Sequence, residues 1–389
     1  MSQKIKVGVI GSGTMGAGIA QVAAQAGHEV VLFDQNTFAL NKAGESCVKI
    51  FDRLVEKEKY TREQADEILA RIDLSESITH IEDCMLVVEA IIEDLSIKQD
   101  LLKKLENLVV SDCVIASNTS SLSIALLASQ CEFPDRVIGL HFFNPAPLMP
   151  LVEVVPAVST KEGLADEMKE LMLSWNKVPV IAQDTPGFIV NRVARPFYGE
   201  ALRILEEGIA DVPTIDWAMK EIGGFRMGPF ELMDYIGHDI NYKVTESVFE
   251  AFYYDPRYKP SFTQKRLAEA GWLGRKSGRG FYNYEEGAKN PEAIKDQELG
   301  TGVCNRILSM LMNEAVDALY LNVASHEDIE LAMTKGVNYP KGLLSWAEEI
   351  GVEEVYDRMA DLYDHYCEDR YRPSPLFRLM LQEGNESFS

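Results

Sequence analysis

Short apolar runs alternate with longer amphipathic stretches over the first half of the chain. The runs hold four to six residues, are rich in Val, Ile and Leu, and are typical of buried strands. They lie at residues 5–10, 30–33, 85–90, 114–117, 137–141 and 151–155. Helical patterns separate them at 15–26, in two long surface helices within 37–71, and at 98–109. The alternation predicts an α/β domain whose mostly parallel sheet is covered by helices on both faces.

The pattern changes beyond residue 184, where helical periodicity replaces the strand signals. Helices are predicted at 189–207, 212–222 and 241–250. Residues 271–284 (GWLGRKSGRGFYNY) form a glycine-rich, basic and aromatic loop, and the polar stretch 285–297 is typical of a linker. We therefore expect an α/β domain over residues 1–184 and an all-α domain over 185–284.

The last part of the chain repeats the all-α domain in degenerate form. A shift of 114 positions superposes five separate pairings without a gap. They are Asn191-Arg192 on Asn305-Arg306, Glu200-Ala201 on Glu314-Ala315, Ala218-Met219 on Ala332-Met333, Gly228 on Gly342, and Ile236-Gly237 on Ile350-Gly351. The alternative is a coincidence between alanine-rich helices. We expect residues 298–389 to be a second copy of the helical domain.

The composition limits the partners and the compartment. Lys and Arg number 38 and Asp and Glu 61, which gives a formal net charge of −23 and disfavours nucleic acid or an anionic membrane as partner. The six cysteines are dispersed without a C-x-x-C pair, so no metal site or disulfide framework is predicted. The first residues, MSQKIKVGVIG, do not have the pattern of a secretion signal, and no run approaches about 18 apolar residues, so we expect neither secretion nor membrane spanning. We expect a cytoplasmic protein.

A glycine-rich turn separates the first predicted strand from the first predicted helix. It reads Gly11-Ser12-Gly13-Thr14-Met15-Gly16, and Asp34 ends the next strand. Gly11 permits a tight turn, Gly13 lets a pyrophosphate approach the backbone, and Gly16 lets the helix pack closely. Asp34 would accept a hydrogen bond from a ribose 2′-hydroxyl and repel a 2′-phosphate. The motif predicts a Rossmann-type domain that binds NAD rather than NADP; the alternative is an ordinary tight turn.

His141 and Glu153 are the two side chains best placed for acid–base chemistry. His141 ends an apolar strand, and a histidine can take a hydroxyl proton while hydride leaves the same carbon. Glu153 lies inside the apolar run 151–155, and a buried carboxylate needs a partner such as a histidine. The alternatives are a core histidine with a structural hydrogen bond and an edge-strand glutamate that faces water.

Small polar residues follow the strand at 114–117. The segment Ser117-Asn118-Thr119-Ser120-Ser121 could hydrogen-bond a substrate oxygen at the carboxyl end of the sheet. The same groups could equally cap a helix that begins near Leu122.

Together these motifs resemble the L-3-hydroxyacyl-CoA dehydrogenase family over nearly the whole chain. The family's motifs stand here as VGVIGSGTMGAGIAQVAAQAGHEVVLFD, IASNTSSL, GLHFFNPAPLMPLVEVV, DTPGFIVNRV and MGPFELMDYIG, in the family's order. The resemblance implies NAD-dependent oxidation of an (S)-3-hydroxyacyl-CoA, of short chain as a guess, to the 3-ketoacyl-CoA. Related alternatives are an L-gulonate-type sugar-acid dehydrogenase and a non-catalytic crystallin-like nucleotide-binding protein.

The resemblance also implies roles for individual residues. His141 corresponds to the catalytic base and Glu153 to the carboxylate paired with it, while Ser120 and Asn191 correspond to substrate contacts. Four further positions correspond to the lining of the cofactor site: Glu93, Lys98, Asn144 and Lys276. By position, Lys57, Lys59 and Arg62, expected on the long helix after Asp34, are candidates for the CoA phosphates, and a solvated helix face is the alternative.

The duplication departs from the short members of that family, which resemble the chain to about residue 285 and dimerise through the helical domain. We expect the two helical copies to pack together as an internal pseudo-dimer with one active site per chain. This expectation leaves homo-oligomerisation open.

Overall fold

The structure is a computed structural model that describes residues 4–388. The chain forms two units, the first ending at Phe188 and the second beginning at Ile189. In the described range, no helix combines the length and apolar character needed to cross a membrane.

The first unit contains one eight-stranded sheet. Its strands are β1 (Lys6–Ile10), β2 (Glu29–Phe33), β3 (Ile72–Ser75), β4 (Leu86–Glu89), β5 (Val114–Ser117), β6 (Val137–Phe142), β7 (Leu151–Pro156) and β8 (Val178–Ile181). Their order is β3-β2-β1-β4-β5-β6-β7-β8. All neighbouring strands are parallel except β6 and β7, which are antiparallel. The predicted α/β fold with a mostly parallel sheet is confirmed.

Six α-helices accompany this sheet. They are α1 (Thr14–Gln25), α2 (Thr37–Glu56), α3 (Arg62–Leu69), α4 (Leu95–Glu106), α5 (Ile124–Ala128) and α6 (Leu164–Ser174). Short 3₁₀ turns lie at Ile78–Ile81 and Pro134–Arg136. The buried face of α1 consists mainly of small residues, with Ile19, Gln21 and Val22, and its apolar members join Val7 and Val9 of β1 in one hydrophobic core. Small side chains let α1 approach the sheet closely, at the strand that leads into the glycine turn.

The described part of the second unit contains helices and loops, and its β-type pairings there are isolated bridges within residues 274–283. Its first half contains α7 (Val190–Val193), α8 (Arg195–Glu206), α9 (Val212–Trp217), α10 (Pro229–Ile236), α11 (His238–Ala251) and α12 (Phe262–Glu269). Its second half contains α13 (Gln297–Tyr320), α14 (His326–Leu331), α15 (Leu343–Ile350), α16 (Val352–Tyr366) and α17 (Pro375–Glu383). The single helix predicted over 189–207 is divided between α7 and α8. Pro196, in the first turn of α8, cannot donate the hydrogen bond that would continue α7.

The two halves of this unit share an unusual backbone feature. A π-helical turn follows α9 at Ala218–Ile222, and another follows α14 at Ala332–Gly336, 114 positions later. Such turns are rare in proteins, so their recurrence at the same spacing supports a duplication rather than a coincidence of composition.

A shared capping device strengthens this conclusion. Asp216 accepts hydrogen bonds from the first N–H groups of α10, at 2.9 and 3.0 Å. Glu330, the counterpart of Asp216, accepts from the first N–H groups of α15 at 2.8 and 3.3 Å. A Cβ added to Gly228 or to its counterpart Gly342 would come within 2.3 or 1.8 Å of these carboxylates. The glycines are therefore required by the carboxylates that cap the helices.

The two halves are joined by a crossed pair of ion pairs, one buried and the other partly buried. Arg192 donates to Glu314 at 2.8 Å, and Arg306 donates to Glu200 at 2.6 Å. Arg306 and Glu314 are the counterparts of Arg192 and Glu200 under the 114-residue shift. Residue i of one half thus contacts residue j of the other, and the reverse contact is also made, as in a two-fold symmetric dimer.

Two strands, β3 and β8, were not predicted from the sequence pattern. The strand β3 has the sequence IDLS and two exposed positions, so it lacks an apolar run. The strand β8 has the sequence VPVI and contains Pro179, a residue that normally argues against a strand. Neighbouring strands supply the hydrogen bonds that sequence alone does not indicate.

Candidate active site

The residues predicted to do chemistry in the first unit gather at one edge of the sheet. The strands β1, β2, β4, β5 and β6 run parallel, so their carboxyl ends lie along the same edge. The glycine turn, Asp34, Glu93, the segment 117–121 and His141 lie at or just beyond these ends. This is the edge at which open α/β sheets bind ligands.

The glycine turn leaves open space at Gly13, beside the uncapped start of α1. Gly11 has a φ of +101°, and a Cβ on Gly16 would lie 1.8 Å from the carbonyl oxygen of Gly11. A Cβ on Gly13 would meet nothing within 4 Å. Gly11 and Gly16 are thus demanded by the protein's own packing, while Gly13 leaves open space. No side chain caps α1 at Gly13, so its N–H groups are available to an anion.

Asp34 is held in place by the glycine turn. Its Oδ2 accepts from the backbone N–H and the hydroxyl of Ser12 at 2.7 and 2.8 Å, and its Oδ1 accepts from the N–H of Asn36 at 2.9 Å. Burial acts to raise the pKa of Asp34, but these three hydrogen bonds outweigh it and hold the pKa below its ordinary value. The carboxylate is therefore ionised and oriented beside the turn.

A buried lysine joins two carboxylates beyond β4. Lys98 is 1% exposed, and its Nζ donates to both oxygens of Glu89 at 2.8 and 3.0 Å and lies 3.0 Å from Oε2 of Glu93. Burial acts to raise the pKa of Glu93, but the charge of Lys98 and hydrogen bonds from Thr119 and Ser121 lower it below its ordinary value. Glu93 is thus a fixed anion at this edge.

The segment after β5 is organised around Glu93. Its Oε1 accepts from the hydroxyl of Thr119, the N–H of Ser120 at 3.2 Å and the hydroxyl of Ser121 at 3.0 Å. No helix begins near Leu122 as the alternative expected: Thr119 accepts from the N–H of Leu122 at 3.0 Å, but α5 begins at Ile124 and Ser123 caps it. Ser120 is therefore positioned by a cofactor-site candidate.

His141 and Glu153 form a buried pair across two antiparallel strands. They stand opposite each other in the register of β6 and β7, and Nδ1 of His141 lies 2.6 Å from Oε2 of Glu153. His141 is 7% exposed and Glu153 is 0% exposed. Because β8 covers the other side of β7, the alternative of an edge-strand glutamate that faces water is wrong. The carboxylate fixes the orientation of the imidazole.

Nearby groups restrict the imidazole further. The ring of Phe143 has its centroid 4.4 Å from that of His141, and the ring of Phe188 lies at 6.0 Å. Asn118 accepts from the N–H of Phe142 at 2.8 Å and so ties the segment after β5 to the histidine strand.

The candidate CoA-binding cations lie differently from the expectation. Lys57 and Lys59 are exposed and lie in the turn after α2, and Arg62 begins α3, so the three do not share one helix. Arg62 is 2.8 Å from Asp52 and 3.5 Å from Asp66. Helix α2 ends sooner than its charge pattern suggested, and the charge of Arg62 is matched within the protein.

Three remaining candidates lie in loops or in the helical unit. Asn144 is exposed in the loop after β6. Asn191 lies in α7, where its side-chain oxygen is 3.5 Å from Nη2 of Arg195. Lys276 is 42% exposed and its Nζ lies 2.5 Å from Asp239. Asn191 and Lys276 therefore belong to the helical unit, whereas the other candidates belong to the first.

Sequence analysis missed several groups that organise this edge. Glu89 is a buried carboxylate at the end of an apolar strand, the same signal that singled out Glu153. Asn118 was only one member of a polar segment. Lys177, whose ammonium donates to two backbone carbonyls, has no signal in the local sequence. Among residues 4–388, no cluster of three or more His, Cys, Asp or Glu is arranged to hold a metal ion.

Models of one known family match both units of the chain. The family model described as "3-hydroxyacyl-CoA dehydrogenase, NAD binding domain" matches residues 6–185. The model of that family's C-terminal domain matches residues 187–284 and again residues 303–387. The double match supports the duplication inferred from the 114-residue shift.

Individual relatives cover either nearly the whole chain or about three quarters of it. The 3-hydroxyadipyl-CoA dehydrogenase of Escherichia coli K12 is 37% identical, and the match covers 98% of each chain. The crystal structure of 3-hydroxybutyryl-CoA dehydrogenase from E. coli K12 is 36% identical with a TM-score of 0.91, covering 98% of this chain and 99% of that one. The 3-hydroxybutyryl-CoA dehydrogenase of Clostridioides difficile is 40% identical, and all of it matches 72% of this chain.

Proposed function

Because the chain belongs to the 3-hydroxyacyl-CoA dehydrogenase family, an NAD-dependent family of oxidoreductases, we propose that it oxidises a short-chain (S)-3-hydroxyacyl-CoA with His141 as general base. The proposed product is the 3-ketoacyl-CoA, and the reaction is reversible. The observation that carries the proposal is the buried contact of 2.6 Å between His141 and Glu153 at the ligand-binding edge of the sheet.

The pairing with Glu153 determines which ring nitrogen of His141 can accept the proton. In the proposed tautomer, the Nδ1–H of His141 donates a hydrogen bond to Glu153, so Nε2 carries the lone pair that can accept a proton from the substrate. The proton of the 3-hydroxyl passes to Nε2. The hydrogen on C3 leaves as hydride, with the electron pair of the C3–H bond, and a carbonyl forms between C3 and its oxygen. Glu153 then stabilises the imidazolium, because a neighbouring carboxylate lowers the energy of a cation in a buried site.

The dinucleotide supplies the hydride acceptor in this reaction. The residues present fit it: the open space at Gly13 and the uncapped start of α1 suit the pyrophosphate, and the ionised Asp34 suits a ribose hydroxyl. Glu93, Lys98, Asn144 and Lys276 are proposed to complete the cofactor site. Ser120 and Asn191 are proposed to hold substrate oxygens, and Lys57 and Lys59 the CoA phosphates.

A longer, dicarboxylic acyl group is the second candidate. The E. coli relative that matches 98% of this chain is named for 3-hydroxyadipyl-CoA. A four-carbon and a six-carbon dicarboxylic substrate share the same reacting carbon, so the chemistry proposed for His141 is the same for both.

Parallel assays of NADH oxidation test the proposal. Acetoacetyl-CoA, 3-oxoadipyl-CoA and the 3-keto form of L-gulonate would be compared, each with NADH and with NADPH. The proposal predicts turnover of a CoA thioester, a strong preference for NADH and inhibition by free CoA. Turnover of the sugar acid alone, or NADH binding without turnover, would instead favour the sugar-acid or the non-catalytic relative.

We also propose that the second helical copy takes the place of a dimer partner. The crossed ion pairs of Arg192 with Glu314 and of Arg306 with Glu200 support this arrangement. Titration with NADH is then expected to give one site per chain, and truncation near residue 290 to cause loss of solubility. A soluble, dimeric truncated chain would argue against the arrangement.

A further inference from the structure

A buried lysine holds the loop that joins the two strands of the His141–Glu153 pair. Lys177 is 7% exposed, and its Nζ donates to the carbonyl oxygens of Ala146 at 2.5 Å and of Met149 at 2.9 Å. Both carbonyls belong to residues 143–150, here called the connecting loop, between β6 and β7. The lysine lies 31 positions from Ala146, so the contact is made by the fold and not by the local sequence.

The position of Lys177 is built by the backbone around it. The helix α6 ends at Ser174, and Asn176 takes a left-handed conformation with a φ of 56° that turns the chain back toward the sheet. Asn tolerates this conformation better than most residues. The next strand begins at Val178, whose N–H donates to the carbonyl of Pro150 at 2.8 Å. Lys177 therefore stands beside the end of the connecting loop.

Carbonyl oxygens are the only polar partners that the described structure gives this ammonium group. Among residues 4–388, Lys177 forms no ion pair with a carboxylate. Burial lowers its pKa to about 8. A lysine without a counter-ion is unfavourable in a core, so a residue that only filled space here would be better apolar. The group fits a role in fixing the loop's backbone.

The connecting loop touches both parts of the site. Its Ala146 and Pro147 pack on α1, where a Cβ on Gly18 would lie 3.2 Å from each. Its Phe143 has the ring whose centroid lies 4.4 Å from that of His141. Its Asn144 is a proposed cofactor contact. A shift of this loop would therefore move groups beside the base and beside the cofactor together.

We propose that Lys177 is a positioning residue that fixes the connecting loop, and through it Phe143 and Asn144 beside His141, where the nicotinamide has to lie to take the hydride. The inference rests on the proposed function for the roles of His141 and Asn144. It assigns no contact of Lys177 with substrate or cofactor.

The test uses the full-length Lys177→Met variant, which keeps the apolar stem and removes the ammonium. Binding of NADH is compared with binding of ADP-ribose, which lacks the nicotinamide. We expect NADH to bind about tenfold more weakly, ADP-ribose to change less than twofold, and kcat to fall about tenfold, because small displacements near reacting groups cost large factors. The Lys161→Met variant, at an exposed lysine of the same unit, is the control and should leave all three values unchanged.

Hydrogen exchange provides a readout that does not depend on any ligand. The N–H groups of Leu148 and Met149 donate to the carbonyl of Pro145 at 2.9 and 3.0 Å, so their exchange reports order in the connecting loop. Exchange there should accelerate in Lys177→Met while the remainder of the sheet stays protected. Should this variant not fold, Lys177→Gln, which keeps N–H donors without the charge, allows the same comparison with a smaller expected effect.

Two results would overturn the proposal. One is a lowered melting temperature with unchanged loop exchange and an unchanged ratio of NADH to ADP-ribose affinity, which would make Lys177 a general stabiliser. The other is equal weakening of both ligands. If the substrate assignment were wrong, the wild type would not turn over acyl-CoA, but the binding and exchange comparisons would still decide the role of Lys177.

Discussion

Nδ1 of His141 lies 2.6 Å from Oε2 of Glu153, and the two residues stand directly opposite each other on antiparallel strands. The pairing depends on the single antiparallel contact of the sheet, that between β6 and β7. A parallel neighbour would need a long crossover connection, whereas here only residues 143–150 separate the two strands. A short chain segment thus brings a base and its carboxylate together inside the fold.

Replacing Glu153 with Gln should therefore impair the base without weakening the binding of NADH. We expect kcat for NADH oxidation to fall by about 10² to 10⁴-fold, since the imidazolium loses its counter-charge and the imidazole its fixed tautomer. The affinity for NADH should stay within threefold of the wild type. Glu167→Gln, at an exposed glutamate of α6, is the matched control. A loss smaller than threefold in Glu153→Gln would show that the pair does not act in the reaction.

Two alanine substitutions in the glycine turn should have opposite consequences. Gly16→Ala places a Cβ 1.8 Å from the carbonyl oxygen of Gly11 and should lower the melting temperature. Gly13→Ala meets nothing within 4 Å, so the variant should melt like the wild type but bind NADH at least tenfold more weakly. Thermal melting and NADH titration of both variants separate the effects. Unchanged NADH affinity in Gly13→Ala would mean that the pyrophosphate lies elsewhere.

Removal of one carboxylate from the crossed ion pairs should destabilise the helical unit. Glu314 accepts from Arg192 at 2.8 Å, and both side chains are buried. Glu314→Ala should lower the free energy of unfolding by about 3 kcal/mol, because the buried Arg192 and Tyr258 lose the carboxylate they donate to, and Arg192 keeps only Asp317. Glu246→Ala breaks the exposed pair with Lys243 and should cost less than about 1 kcal/mol. Urea unfolding measures both, and equal losses would contradict the assignment of Glu314 to a buried interface.

The stability contributed by Lys177 should vary with pH in a defined direction. Its pKa is lowered on folding to about 8 from 10.5, so between these values the unfolded chain binds more protons than the folded chain. The free energy of unfolding should therefore rise with pH across this window. The difference between wild type and Lys177→Met, measured by urea unfolding at pH 7.5 and pH 9.5, isolates this group. A difference that is constant or falls would contradict the expected direction.

Much of the fold follows from the chain's pattern because burial and periodicity agree there. The six predicted strands formed within one residue of their expected ends, and the glycine turn lies between β1 and α1. The strand β3 was missed because its IDLS sequence is half exposed. The strand β8 was missed because Pro179 argues against a strand, although β8 lies at the edge of the sheet, where proline can be accommodated. Tertiary hydrogen bonds decide such elements, and these have no local signature.

The site was predictable where a residue type conflicted with its surroundings. Glu153 stood out as a carboxylate in an apolar run, and His141 as a histidine at a strand end. Lys177 gave no such signal, because a lysine near a helix end is usually a surface residue. The partners of Lys177 are backbone carbonyls 28 and 31 positions away, which no spacing rule could reveal.

The most direct test of the central claim is the rate of NADH oxidation by acetoacetyl-CoA in wild type and His141→Gln, with NADH affinity measured on the same samples. The account predicts rapid turnover by the wild type, a loss of at least about 10³-fold in the variant, and NADH affinity within threefold. Turnover by His141→Gln near the wild-type rate would contradict the assignment of His141 as the base.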